Sequence, residues 1–127
     1  MKVIFKESPS TVHKYRVLFP DRRFVDFGDR RSHDYTTHGN PRLMRAHLLR
    51  HGAKMSKEMR LERDPYEIHR AMLHVKESTT EDWDYIYGRD YWERWVLWSY
   101  PTVNQAKLYL TMRENILFMP HNDTFPF

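Results

Sequence analysis

The chain has 127 residues, of which 40% are hydrophobic, 30% charged and 15% aromatic; there is no cysteine, and the formal net charge is +4. That length supports one domain with a modest core built from few, large side chains. Disulfides and thiolate metal sites are excluded, which suits a reducing compartment, and no apolar run is long enough to span a bilayer.

In chain order, Val3–Lys6, His13–Phe19 and Arg22–Phe27 are rich in β-branched and aromatic residues and read as strands, the last two joined by the turn dipeptide Pro20-Asp21. Met1–Glu7 breaks off too early for a signal peptide. Tyr15, Val17 and Phe19 share one strand face, and Val25 shares a face with Arg23 and Phe27. The polar stretch Gly28–Gly39 reads as a long loop that binds something or pins the structure. Asn40 as N-cap, Pro41 at the first position and Gly52 beyond the end bracket a helix, with Leu43, Met44 and Leu48 as its buried stripe and Arg42, Arg45 and Arg50 on the opposite arc.

Residues 54–63 read as helical. Asp64-Pro65-Tyr66-Glu67 has the capping-box arrangement and opens another helix, buried through Ile68, Met72 and Val75. Ser78-Thr79-Thr80 interrupts the chain, with Thr79 and Asp82 as caps of a short turn over Trp83–Tyr87. Gly88 precedes a helix carrying Trp92, Trp95 and Trp98 at three-residue spacing, closed by Pro101; only Glu93 and Arg94 keep it from being apolar all round. Thr102 and Gln105 form a second capping box, opening a helix to about Asn115 with Val103, Ala106, Tyr109, Leu110 and Met112 as its apolar residues. The remainder, Ile116–Phe127, is apolar and contains Pro120 and Pro126, so it reads as an extended tail anchored by Phe125 and Phe127.

The expected fold class is therefore α+β: an N-terminal antiparallel sheet of two or three strands packed on three to five short helices, with the tail running outside them. A single domain covers 1–127, divided into an N-terminal arm or strand (1–12), a hairpin (13–28), a helical part (40–115) and the tail (116–127).

Charge is unevenly placed. Residues 1–57 hold 13 Lys/Arg against 5 Asp/Glu, a net +8, and residues 58–127 hold 8 against 12, a net −4. The basic stretch offers Arg42, Arg45, Arg50, Lys54 and Lys57 as contacts for an acidic protein surface or for nucleic-acid phosphates. The acidic segment offers Glu81, Asp82, Asp84 and Asp90, and the two can equally neutralise one another or lie on opposite solvated faces.

His47 and His51 stand at i,i+4, a metal-ligand spacing, but Leu48 occupies the position where a metalloprotease helix carries glutamate. His33, Asp34, His38 and Asn40 give a weak nuclease-like cluster. No glycine-rich phosphate loop, nucleophile elbow or cysteine nucleophile occurs. Neither a catalytic residue, a metal ligand nor a cofactor is therefore assigned. Indoles at helical spacing read as an aromatic core, not as a base-stacking platform.

Three segments also carry a family resemblance: Lys14-Tyr15-Arg16-Val17 with Val25-Asp26-Phe27-Gly28; Asp34-Tyr35-Thr36-Thr37-His38 running into Leu48-Leu49-Arg50-His51; and Tyr91-Trp92-Glu93-Arg94-Trp95-Val96-Leu97-Trp98-Ser99-Tyr100-Pro101-Thr102. Together they resemble small uncharacterised proteins of nucleocytoplasmic large DNA viruses, of the chlorella virus, marseillevirus and iridovirus type. The chain departs from that pattern in residues 53–90, which are longer, partly acidic and include the helix from Pro65. The N-terminal strand and the tail also lie outside it.

The resemblance implies a structural virion protein: a minor capsid (cement) protein present in multiple copies, binding major and minor capsid proteins inside an icosahedral shell and passing through the host cytoplasm or viral factory during assembly. The alternative is a genome-associated, DNA-binding viral protein using Arg42–Lys57. A metal-dependent nuclease on His33–His38 ranks third.

Overall fold

A computed structural model describes residues 1–120 and Phe125. The element order is β1 (Lys2–Glu7), β2 (His13–Leu18), β3 (Phe24–Asp29), α1 (Tyr35–His38), α2 (Pro41–Arg50), α3 (Lys57–Leu61), α4 (Pro65–Met72), α5 (Arg89–Trp92) continuing as a π-helical turn (Glu93–Leu97), α6 (Val103–Glu114) and β4 (Leu117–Met119). The α+β class is as expected, but the sheet is larger and is mixed. It has four strands in the order β3-β2-β1-β4, antiparallel except that β4 runs parallel to β1 with Val3 opposite Phe118. Part of the expected tail is thus a strand. Its start is fixed by Asn115, whose left-handed φ of 56° ends α6, and by the Leu117 amide, which donates to the Met1 carbonyl.

Among the described residues, six α-helices plus the π turn exceed the three to five expected, because Asp34 starts a short helix inside the supposed 28–39 loop. The hairpin likewise runs on to Asp29. Residues 54–56 are not helical: Ala53 bridges Ser78 instead, and the Lys54 amide donates to the Glu77 carbonyl. Of the tail anchors, Phe125 is half-buried and Phe127 lies outside the described residues.

Strand alternation sends Val3, Phe5, Val17, Phe19, Val25 and Phe27 to one face of the sheet, where Tyr91, Trp92, Trp95, Val96, Leu97, Leu110 and Ile116 cover them. A second core forms among α1, α2 and α4 from Tyr35, Met44, Leu48, Ile68, Met72, Val75 and Trp83. Trp98 is only half-buried, yet it packs on both cores and forms the seam between them. Leu43 is 49% exposed and Met112 75% exposed, so neither belongs to a buried stripe. Their helices use narrower faces, Met44 with Leu48 and Ala106 with Leu110.

The helix starts follow local chemistry. Asn40 accepts from the Arg42 amide at 3.0 Å, Asp64 from the Glu67 amide at 2.9 Å, and Thr102 from the Gln105 amide at 3.1 Å. Neither expected capping box closes: Glu62 accepts from the Asp64 amide, and the Gln105 side chain accepts from the Thr102 hydroxyl. The full box is at Asp34, which accepts from the Thr36 amide while Thr37 Oγ1 accepts from the Asp34 amide. In the turn after Val75, Ser78 accepts from the Thr80 and Glu81 amides, while Thr79 instead donates to the Gly52 carbonyl.

Candidate functional site

The charged residues singled out from sequence are placed unequally. Arg42 donates to the Arg63 carbonyl at 2.5 Å, and Arg45 donates to the Met59 and Glu62 carbonyls at 3.1 and 2.7 Å. Two of the five cations thus complete the C-terminal end of α3 from the flank of α2. Lys54 pairs with Glu77 at 3.2 Å on the surface, whereas Lys57 and Arg50 are exposed and hold no such partner.

In the acidic segment, Glu81 accepts from Trp83 Nε1 at 2.8 Å and faces His51 Nδ1 at 2.5 Å. Asp82 accepts from the Asp84 amide, and burial raises the Asp90 carboxyl above its ordinary range. The basic and acidic segments therefore meet at the Lys54–Glu77 ion pair and at the His51–Glu81 contact.

A cleft of about 320 Å³ opens where the end of the hairpin meets α2 and the π turn. Lys14 and Gly28 come from the sheet; Ser32, His33 and Asp34 from the loop; His47 and Arg50 from α2; Glu93, Leu97 and Trp98 from the π turn and its end. The stretches 14–28, 34–51 and 91–102 all contribute to it.

Several of these side chains are fixed by one another. Asp34 is 3% exposed, and Lys14 Nζ donates to its Oδ2 at 2.6 Å and to the Ser32 carbonyl at 2.7 Å, which pins the 28–39 segment to β2. The His47 ring lies on Trp98 at 3.6 Å and 7° and on His51 at 4.1 Å and 26°. Burial, reinforced by the nearby His51 and the cations Arg50 and Arg94, depresses the His47 imidazole to about 3, so it is neutral at physiological pH. Gly28, at φ +78°, leaves 3.1 Å to Leu97 at the place a β-carbon would occupy, and its amide donates to Glu93 Oε1 at 3.4 Å. Burial also lifts the Glu93 carboxyl above the usual carboxylate range.

The π turn spans Glu93–Leu97 and Trp98 follows it as the cap residue, so Glu93, Leu97 and Trp98 all border the cleft while Trp92, Trp95 and Val96 pack on the sheet. π turns recur at functional sites.

Glu93 and Arg94, the two residues that keep the tryptophan helix from being apolar all round, are not its solvent side: Glu93 is half-buried and Arg94 buried. Arg94 is 2% exposed, donates from Nη2 to the Met72 and Val75 carbonyls at 2.6 and 2.9 Å and from Nη1 to the Trp98 carbonyl, and lies over the Trp95 ring at 4.2 Å. It ties the π turn to the end of α4. Burial lowers it to about 9, leaving it charged at neutral pH. The available signal was that a helix apolar on nearly every side must bury even its few charges.

His38 accepts from the Asn40 amide at 2.9 Å, and the Tyr35 hydroxyl bonds His69 at 2.9 Å, so both histidines sit in local networks. No group of three or more His, Asp or Glu among the described residues is arranged to hold a metal ion, and no helix of the described residues is long and apolar enough to cross a membrane.

Residues 3–51, spanning β1 to the end of α2, are similar to a family of unknown function, DUF5754. No curated protein and no solved structure matches the chain.

Proposed function

We propose that this chain is a structural protein of a virion, a minor capsid (cement) protein that acts by binding neighbouring capsid proteins. The observation that carries the reading is the outer face of α6. Leu108 is 61% and Met112 75% exposed, and together with Tyr100, Tyr109, Gln105 and Arg113 they line a mostly apolar groove of about 310 Å³. Large apolar side chains grouped on one helix face, rimmed by polar groups, are the anatomy of a protein contact. The family resemblance supplies the virion, and buried area, not turnover, is the function.

The engagement of Arg42 and Arg45 on backbone carbonyls narrows the basic arc available to a genome-binding role to Arg50 and Lys57 with the surface-paired Lys54.

Particles stripped of their genome test the proposal. The protein stays with the shell at fixed stoichiometry, and L108E with M112E releases it while the isolated domain keeps its melting temperature. Loss with the genome, together with salt-sensitive duplex binding that disappears in R50E with K57E, refutes the cement role in favour of the genome-associated one.

A further inference from the structure

We propose that the cleft between the hairpin end and the π turn is a binding site for a phosphate group carrying a proton, either inorganic phosphate or a phosphomonoester. The argument is independent of the virion reading. Four donors border this one cleft with no hydrogen bond or ion pair to another of the described residues: the Arg50 guanidinium, the His33 and His47 rings and the Ser32 hydroxyl. Grouped donors without acceptors fit an oxyanion, because each oxygen can take two or more of them and a guanidinium fork matches two oxygens at once.

The other charged groups in the cleft do not compete. Lys14 is neutralised by Asp34, and Asp29 by Arg31. With those two pairs set aside, Arg50 and Glu93 are the charged groups of the lining left to face a ligand, so anion binding rests on the Arg50 fork and the neutral donors beside it and not on a general positive field.

Two features narrow the ligand from any anion to phosphate. The His47 ring is clamped between Trp98 and His51 and is neutral, so it carries one N–H on a ring already held in place. Glu93 borders the same cleft with only one long hydrogen bond, from the Gly28 amide at 3.4 Å. A carboxylate there repels a fully deprotonated anion but accepts from the P–O–H of monohydrogen or dihydrogen phosphate, or from that of a phosphomonoester near or below its second pKa of about 6. Sulfate has no proton to give at neutral pH. The cleft volume of about 320 Å³ lies at the small end of ligand pockets, which suits a phosphate with at most a small substituent.

The test is an amide and imidazole NMR titration of the full chain with sodium phosphate, sodium sulfate and O-phosphoserine at constant ionic strength and about pH 6, where about half of a phosphomonoester carries its proton. Expected are saturable shifts confined to Gly28, Ser32, His33, His47, Arg50 and Trp98, with phosphate bound more tightly than sulfate. R50Q weakens binding about tenfold or more, the loss expected for a charge-assisted pair. E93Q removes the preference over sulfate, and K57Q, a cation outside the cleft, changes nothing. Tighter binding of phosphoserine assigns an esterified ligand, and equal binding assigns the free ion.

Arg50 is exposed, so R50Q keeps the wild-type spectrum elsewhere. Absence of saturable shifts at these positions overturns the proposal. So does equal weakening by R50Q and K57Q, which marks diffuse charge attraction, or undiminished binding in R50Q.

Discussion

Replacing His47 by phenylalanine isolates the energetic consequence of its stacked position. The wild-type ring lies between Trp98 and His51 and titrates near 3, against about 6.5 in an unfolded chain. Between those values the unfolded chain binds a proton that the folded one refuses, so stability rises with pH across the window and falls on acidification. Each pH unit is worth about 1.4 kcal/mol, which puts the loss at pH 5 near 2 kcal/mol and the ceiling, below pH 3, near 5 kcal/mol. Part of the ring reaches solvent, and halving for that screening leaves about 1 kcal/mol at pH 5. Phenylalanine keeps an aromatic ring on Trp98 but cannot titrate. Urea unfolding of both proteins at pH 8 and pH 5 therefore shows a wild-type loss exceeding that of H47F by about 1 kcal/mol. His38 and His69, also depressed by burial, and Glu93, raised by it, contribute equally to both proteins and cancel in the difference. An identical loss in the two proteins refutes the assignment of a refused proton to His47.

Two further substitutions probe what joins the parts of the fold. R94M takes the guanidinium donors away from the Met72, Val75 and Trp98 carbonyls, of which Met72 keeps the Val75 amide, lowering stability by about 3 kcal/mol in a urea titration, and R94K recovers only part because it lacks the fork. Gly52 is at φ +81° with the Ser78, Thr79 and Thr80 hydroxyls 2.7–2.9 Å from where a β-carbon would stand; G52A therefore costs about 1–3 kcal/mol, read from the melting temperature.

The parts legible in the sequence are those fixed by neighbours along the chain. Asn40-Pro41, Asp64-Pro65 and Thr102 start helices because a side-chain oxygen two or three residues from an unsatisfied amide needs no tertiary help. The strand alternation at Val17, Phe19, Val25 and Phe27 was legible for the same reason. What failed depends on distant segments. Leu117–Met119 pairs with β1 across more than a hundred residues, and nothing local in Leu-Phe-Met marks that. The destinations of Arg42 and Arg45 depend on where α3 ends against α2. The cleft borders a π turn, Glu93–Leu97, and its cap residue Trp98, whereas three-residue tryptophan spacing suggests an unbroken α-helix. His47 was noticed for its spacing to His51, but its partner Trp98 lies 51 positions further on.

The stretch similar to DUF5754, residues 3–51, is not a self-sufficient unit in this fold. Its strands bury Val3, Phe5, Val17, Phe19 and Phe27 against Tyr91–Leu97, Leu110 and Ile116, all supplied from beyond it. Its helix α2 buries Met44 and Leu48 against Ile68, Met72, Val75 and Trp83, also from beyond it. Separated from residues 53–127, the fragment would expose both apolar faces at once, and a segment of about fifty residues without a core does not offset its ordering entropy. A fragment of residues 1–52 should therefore show unfolded amide dispersion and no cooperative thermal transition, and adding a 53–127 fragment should restore both through the His47–Trp98 seam. A cooperative melt of the fragment alone would show that its hairpin and α2 pack on each other in a way this fold does not contain. In that case the cleft, whose floor is Glu93 and Trp98, would be an addition to an older unit instead of part of a single cooperative one.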